Sequence, residues 1–195
     1  MPSEAPLGRN QTIDSLPDEL LSEIFRFVQP DSDDDCFRRE RQWFRVLWVS
    51  RRWSGVGRAA ASLWCNITIE RTLKRSLITA SLEYSKNALL TIKFEVGGHL
   101  AEVLPLLFPH IHRIRSLQIE PDTTQYDISL AAFLSHPFPS METFEERSLP
   151  IHDPLIWQPD ASSYPRLRNL ILEGTVSIKV APTAVFPALR KLLLS

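Results

Sequence analysis

A short strand pattern returns along the second half of this chain at nearly constant intervals, and that recurrence narrows the possible folds more than any other feature. Leu90, Ile92, Phe94 and Val96 alternate with Thr91, Lys93 and Glu95, the period of a half-buried strand, and Gly97-Gly98 ends it. Similar apolar spacings follow at Ile114/Leu117/Ile119, Met141/Phe144, Leu167/Leu170/Leu172 and Leu189/Leu192/Leu194. Anchored on Ile92, Leu117, Phe144, Leu170 and Leu192, the steps are 25, 27, 26 and 22 residues. Steps of that length match units made of one strand and one return segment, which stack on their neighbours. Phe138-Pro139, Tyr164-Pro165 and Phe186-Pro187 stand just before three of the strands, where proline disfavours helix at the preceding aromatic residue.

This spacing resembles that of leucine-rich repeats in degenerate form. Gly97, Asp122, Leu149 and Thr175 stand where that family carries asparagine, and Glu146 occupies an apolar position of the third copy. Leu73, Leu77, Ala80 and Tyr84 predict an amphipathic helix before the first strand, and Leu100, Val103, Leu104 and Leu107 one after it despite Pro105. Asp127 is a candidate cap for a helix through Leu130, Phe133 and Leu134. Residues 148 to 164, with Pro150, Pro154 and Pro159, read as irregular connection. The competing reading is an ordinary α/β domain with evenly spaced strands. The last motif runs to Ser195 without a capping element, so residues 186 to 195 are expected to fray, to pair edge to edge, or to continue into further repeats of a longer form.

The N-terminal part has a different period. Ser15 to Val28 reads as a helix started by Pro17, whose fixed φ suits a first turn, with Asp18 and Glu19 against the positive end of the helix dipole. Leu16, Leu20, Ile24 and Val28 recur every four residues, Leu21 and Phe25 form a second row, and Phe27 widens the first. Two apolar faces need two covers. Phe37 to Trp53 is the expected second helix, and Val56 to Ala61 a short third one after a break at Gly55 and Gly57. Trp43, Trp48 and Trp53 cannot share one helical face, because steps of five residues rotate them apart.

Leu16-Pro17-x-Glu19-Leu20-Leu21-x-x-Ile24-Phe25, then Val46 to Trp53 (Val-Leu-Trp-Val-Ser-Arg-Arg-Trp), then Leu63-Trp64 resemble an F-box in order and spacing. The acidic insert Asp31-Ser32-Asp33-Asp34-Asp35 departs from the family, which has a shorter connection there. The resemblance implies docking on a Skp-family adaptor, which links to a cullin scaffold, through Leu16, Pro17, Leu20, Leu21, Ile24 and Trp53. It places Arg51 and Arg52 near the rim of that interface, while Trp43 and Trp64 are assigned to the fold.

Composition excludes several other classes. Twenty-two basic and 23 acidic residues, net −1, carry no nucleic-acid-scale field. The N-terminus lacks a signal-like apolar stretch and no segment has the length of a membrane span, so a cytoplasmic or nuclear protein is expected. Cys36 and Cys65 are too few for a disulfide framework, and the Asn10 and Asn66 sequons have no secretory context. Gly55-x-Gly57-x-x-Ala60 follows a helix rather than a strand and so is not a dinucleotide loop. Asp31-x-Asp33-x-Asp35 lacks the glycine and glutamate of a calcium loop, and His110 and His112 lack further ligands at metal spacing. Arg38, Arg39 and Arg41 read as a solvated face balancing the acidic insert. No catalytic constellation, cofactor motif or metal site emerges.

The expected fold is α+β. Residues 1–11 form a disordered tail, 12–66 a three-helix F-box-like unit, and 67–195 a leucine-rich-repeat-like solenoid with a parallel sheet on which the helices pack. The expected function is that of a non-enzymatic substrate receptor of an SCF-type ubiquitin ligase, the alternative being a repeat-type binding scaffold unrelated to ubiquitin transfer. The strand side chains pointing away from the core form the expected target surface, with Lys93, Gln118, Glu145, Arg147, Asn169, Ile171 and Lys191 as the chosen positions. Their mixed charge favours a protein or peptide over nucleic acid.

Overall fold

The computed structural model describes residues 13–29, 43–70, 74–95, 100–120, 132–147, 155–157, 162–173, 178–180 and 186–194. The expected tail at 1–11, the acidic insert, the start of the second helix at Phe37 and the Asp127 cap lie outside these residues. The chain divides into two units, Met1–Leu63 and Trp64–Ser195.

In the first unit, helix α1 spans Asp18–Val28 and buries Leu21 and Phe25. Pro17 caps it from just outside, with ψ at 151°, rather than occupying the first turn. The second helix differs from expectation. A 3-10 turn covers Trp43–Trp48, and a separate helix, α2, runs Arg51–Ala59. The break falls at Ser50, whose hydroxyl accepts the Trp53 N–H at 3.1 Å and so satisfies a helix-start donor that a continuous helix would have paired internally. α2 passes through both glycines, which therefore do not end it as expected. Gly57 sits where a Cβ would collide with Leu47 Cδ2, while Gly55 faces open space. Close approach explains the first glycine. At the end of α1, Gln29 donates its side-chain amide to the Leu63 carbonyl at 2.6 Å.

The second unit is built on a six-stranded, all-parallel sheet in the order β1-β2-β3-β4-β6-β8. The strands are β1 Asn66–Ile69, β2 Leu90–Phe94, β3 Ile114–Ile119, β4 Thr143–Arg147, β6 Asn169–Glu173 and β8 Lys191–Leu194. The sequence reading missed β1, because only Ile67 and Ile69 mark it. It also read 148 to 164 as irregular, whereas β5 (Leu155–Trp157) pairs with β7 (Ile178–Val180) in a small parallel sheet of its own. A three-residue strand carries too little alternation to register as a period.

The register sets the anchor residues side by side: Ile67 against Ile92, then Leu117, Phe144, Leu170 and Leu192. From Ile67 to Leu170 that row is buried in the core, together with the flanking positions Ile69, Phe94, Ile119 and Leu172. Helix α3 (Arg75–Tyr84) covers it through Ile78 and Leu82, while the expected Leu77 and Ala80 are only half-buried. Helix α4 (Leu100–Leu107) adds Val103, Leu104 and Leu107. Glu146, set between Ile119 and Leu172 in register, is buried in the same row. β8 is one of the two edge strands, and Leu192 is 53 % exposed although its register mate Leu170 is buried.

Three aromatic-proline turns set the approach to β4, β6 and β8. The carbonyls of Phe138, Tyr164 and Phe186 accept the N–H of Met141, Leu167 and Leu189 at 3.2, 3.3 and 3.3 Å, with proline second in each turn. The rings form a ladder: Phe138 stacks on Tyr164 at 5.5 Å, and Tyr164 meets Phe186 edge-on at 6.5 Å. The buried Tyr164 hydroxyl donates to the Leu134 carbonyl at 2.5 Å. Arg113 is buried at the C-terminal end of α3, where it donates to the Leu82 and Ala88 carbonyls at 2.8 and 3.0 Å and to Ser85 Oγ at 2.9 Å. These acceptors are uncharged. The negative end of the helix dipole supplies the compensating potential.

Candidate functional site

Helix α1 has more apolar surface than its own unit covers. Leu21 and Phe25 point inward, but Leu20 is 52 % exposed, Phe27 87 %, and Ile24 and Val28 are exposed beside them. Trp48, 82 % exposed, and Val49 add to the open apolar surface of this unit at the turn before Ser50. Covering a side chain of this kind is worth about 1.5–3 kcal/mol. A patch of this composition on an otherwise charged surface is suited to burial against a partner.

The inner row is held by α2. Phe25 packs on Trp53 with ring centroids 5.1 Å apart, and Trp43 is buried beside Phe44. Arg52 Nη2 reaches Asp18 Oδ1 at 2.6 Å and also donates to the Leu16 carbonyl, fastening the start of α1. Among the six residues expected to meet an adaptor, Leu20, Ile24 and Pro17 are exposed, Leu16 and Trp53 half-buried, and Leu21 fully buried. Leu21 therefore supports the helix from within. Trp48 and Val49, absent from the expected set, belong to the open patch.

On the second unit, the expected target residues fall on the polar face of the sheet. Lys93, Gln118, Glu145 and Ile171 stand side by side in register, and Asn169 pairs with Lys191 one row below. Asn169 donates to Thr143 Oγ1 at 3.2 Å, and Gln118 to Glu120 Oε1 at 3.0 Å. Lys93 Nζ lies 3.4 Å from Glu95 and 3.7 Å from Glu120. Arg147 Nε lies 2.5 Å from Glu145 and 3.4 Å from Glu173. Burial works against the Arg147 charge, but Glu145, Glu173 and Glu120 outweigh it and hold the guanidinium protonated above its usual range.

Among the described residues no three His, Cys, Asp or Glu side chains converge as a metal site. His110 accepts from Arg113 Nε at 3.4 Å rather than facing outward with His112. Burial pushes the Cys65 thiol up, the reverse of what a nucleophile needs. No helix among the described residues is long and apolar enough to cross a membrane.

The first unit thus carries a helix with an uncovered apolar face, and the second a parallel sheet with a polar one. Residues 13–70 match the F-box-like family model, and the chain carries an F-box-like domain over that stretch. Searches of curated proteins and of solved structures find no match.

Proposed function

We propose that the chain is a substrate-receptor subunit of an SCF-type ubiquitin ligase. The uncovered row Leu20, Ile24, Phe27 and Val28 on α1 of the F-box-like domain is the observation that carries this reading. In it, that row with Trp48 and Val49 docks on a Skp-family adaptor, and the adaptor links the chain to a cullin scaffold. The polar face of the sheet then holds a target protein near a ubiquitin-charged enzyme supplied by other subunits. The contribution is positional, a raised effective concentration with no bond made or broken by this chain. A leucine-rich-repeat-like solenoid is the architecture that the register of anchor residues supports for the second unit. Cytoplasm or nucleus is the compartment where such an assembly works.

The test is capture of a purified Skp-family adaptor. Leu20→Asp places a carboxylate in the interface and should cost several kcal/mol of affinity. The side chain is exposed, so the variant should keep its far-ultraviolet circular dichroism. A folded variant that captures the adaptor as well as the parent overturns the assignment.

A further inference from the structure

We infer that the polar face of the sheet takes a segment rich in lysine or arginine, an inference that rests on the receptor reading and names its target class. Two ion clusters of the same composition cross this face. Lys93 on β2 is shared by Glu95, just past the end of its own strand, and Glu120, just past the end of β3, and Arg147 on β4 by Glu145 on its own strand and Glu173 on β6. Each cation thus serves two carboxylates. Glu120 also acts on Arg147, so the clusters form one electrostatic unit. From β2 to β6 four glutamates meet two cations, and Lys191 on β8 brings the face to four against three, so the stripe stays short of positive charge.

A second observation indicates where that charge is lacking. Glu95 is only 6 % exposed, and its Oε2 has no hydrogen-bond partner, although Oε1 is paired with Lys93. A carboxylate oxygen removed from water without a donor is destabilising by itself. A cationic side chain laid along the stripe offsets the excess charge. From β2 to β6 the stripe crosses three strand intervals, roughly 14 Å, a span that a short extended peptide covers. A polyanion meets net repulsion at the same place.

The experiment measures fluorescence anisotropy of the full chain with a labelled peptide of alternating lysine and serine, a glutamate-serine peptide, and a single-stranded RNA of similar length. The lysine peptide should bind, weaken as salt rises, and lose roughly tenfold or more in affinity in the isosteric double variant Glu120→Gln/Glu173→Gln. Both sites are partly exposed, so that variant should melt like the parent. Glu95→Gln provides an independent reading: it should raise the melting temperature of the free protein and weaken the peptide. Equal binding of the acidic peptide, preferential binding of RNA, an unchanged double variant, or a lower melting temperature in Glu95→Gln would each overturn the inference. Adaptor capture is run in parallel on the same samples. Peptide failure with adaptor capture intact defeats this inference alone, whereas loss of capture by the parent chain defeats the receptor reading beneath it.

Discussion

Arg52 on α2 holds the first turn of α1 by two different groups, the Asp18 carboxylate at 2.6 Å and the Leu16 carbonyl. The two contacts differ in worth. Asp18 is largely exposed and its ion pair is screened by solvent, so it contributes only about 0–1 kcal/mol. The bond to the Leu16 carbonyl fixes the chain where it enters the helix and adds about 1 kcal/mol. Arg52→Ala should therefore cost about 1–2 kcal/mol in urea denaturation, and Asp18→Ala less than about half of that. Equal losses would show that the ion pair dominates.

Adjacent leucines on α1 should behave in opposite ways. Leu21 is fully buried, so Leu21→Ala is expected to destabilise the first unit by about 2–4 kcal/mol through cavity formation. Leu20→Ala should change stability by no more than about 0.5 kcal/mol and weaken adaptor capture instead. Denaturant melts paired with capture measurements separate the two effects, and a destabilised Leu20→Ala would place that side chain in the core.

The two glycines of α2 should give opposite signs. Gly55 faces open space, and alanine there gains helix propensity of about 0.5–1 kcal/mol. Gly57→Ala drives a methyl into Leu47 and should destabilise by about 1–3 kcal/mol. Thermal melts of the two single variants test this, and a stabilised Gly57→Ala would mean that Leu47 moves freely aside.

Acid should loosen the second unit through His110. Burial first, then the charges of Arg113 and His112, hold its pKa below the ordinary 6.5. The unfolded chain therefore takes up the proton more readily than the folded one. Stability contributed by neutral His110 is complete above pH 6.5 and declines as pH falls through that value toward the lower folded pKa. Melting temperatures from about pH 8 to about pH 5 should fall less steeply in His110→Gln than in the parent. Identical slopes would show that other groups govern the acid limb.

Some of this architecture is legible without coordinates because its signal is local. The alternation around Ile92 states which side chains face the core, and the steps between anchors match the register, where Ile92, Leu117, Phe144, Leu170 and Leu192 stand in one row. Proline after Phe138, Tyr164 and Phe186 marks the turns before three strands for the same reason, since a proline restricts its own neighbour. The leucine-proline start, the Ser-Arg-Arg-Trp stretch and Leu63-Trp64 likewise mark the F-box-like domain in sequence order.

Other features depended on tertiary packing. Leu20/Ile24 and Leu21/Phe25 satisfy the helical period equally well, and only the seating of Trp53 on Phe25 makes the second row the core. The reading of Phe37 to Trp53 as one helix failed because Ser50 offers a capping hydroxyl, and Gly57 stays helical because Leu47 packs where a side chain would stand. β1 and the β5-β7 pair carry too few residues for a period of their own and exist through pairing with a partner strand. The sequence determined which positions alternate and where turns fall, because those are properties of a few neighbouring residues. Which apolar face is covered, which glutamates share a cation, and where a helix must stop were decided by groups distant along the chain, whose energies exist only once the strands and helices have met.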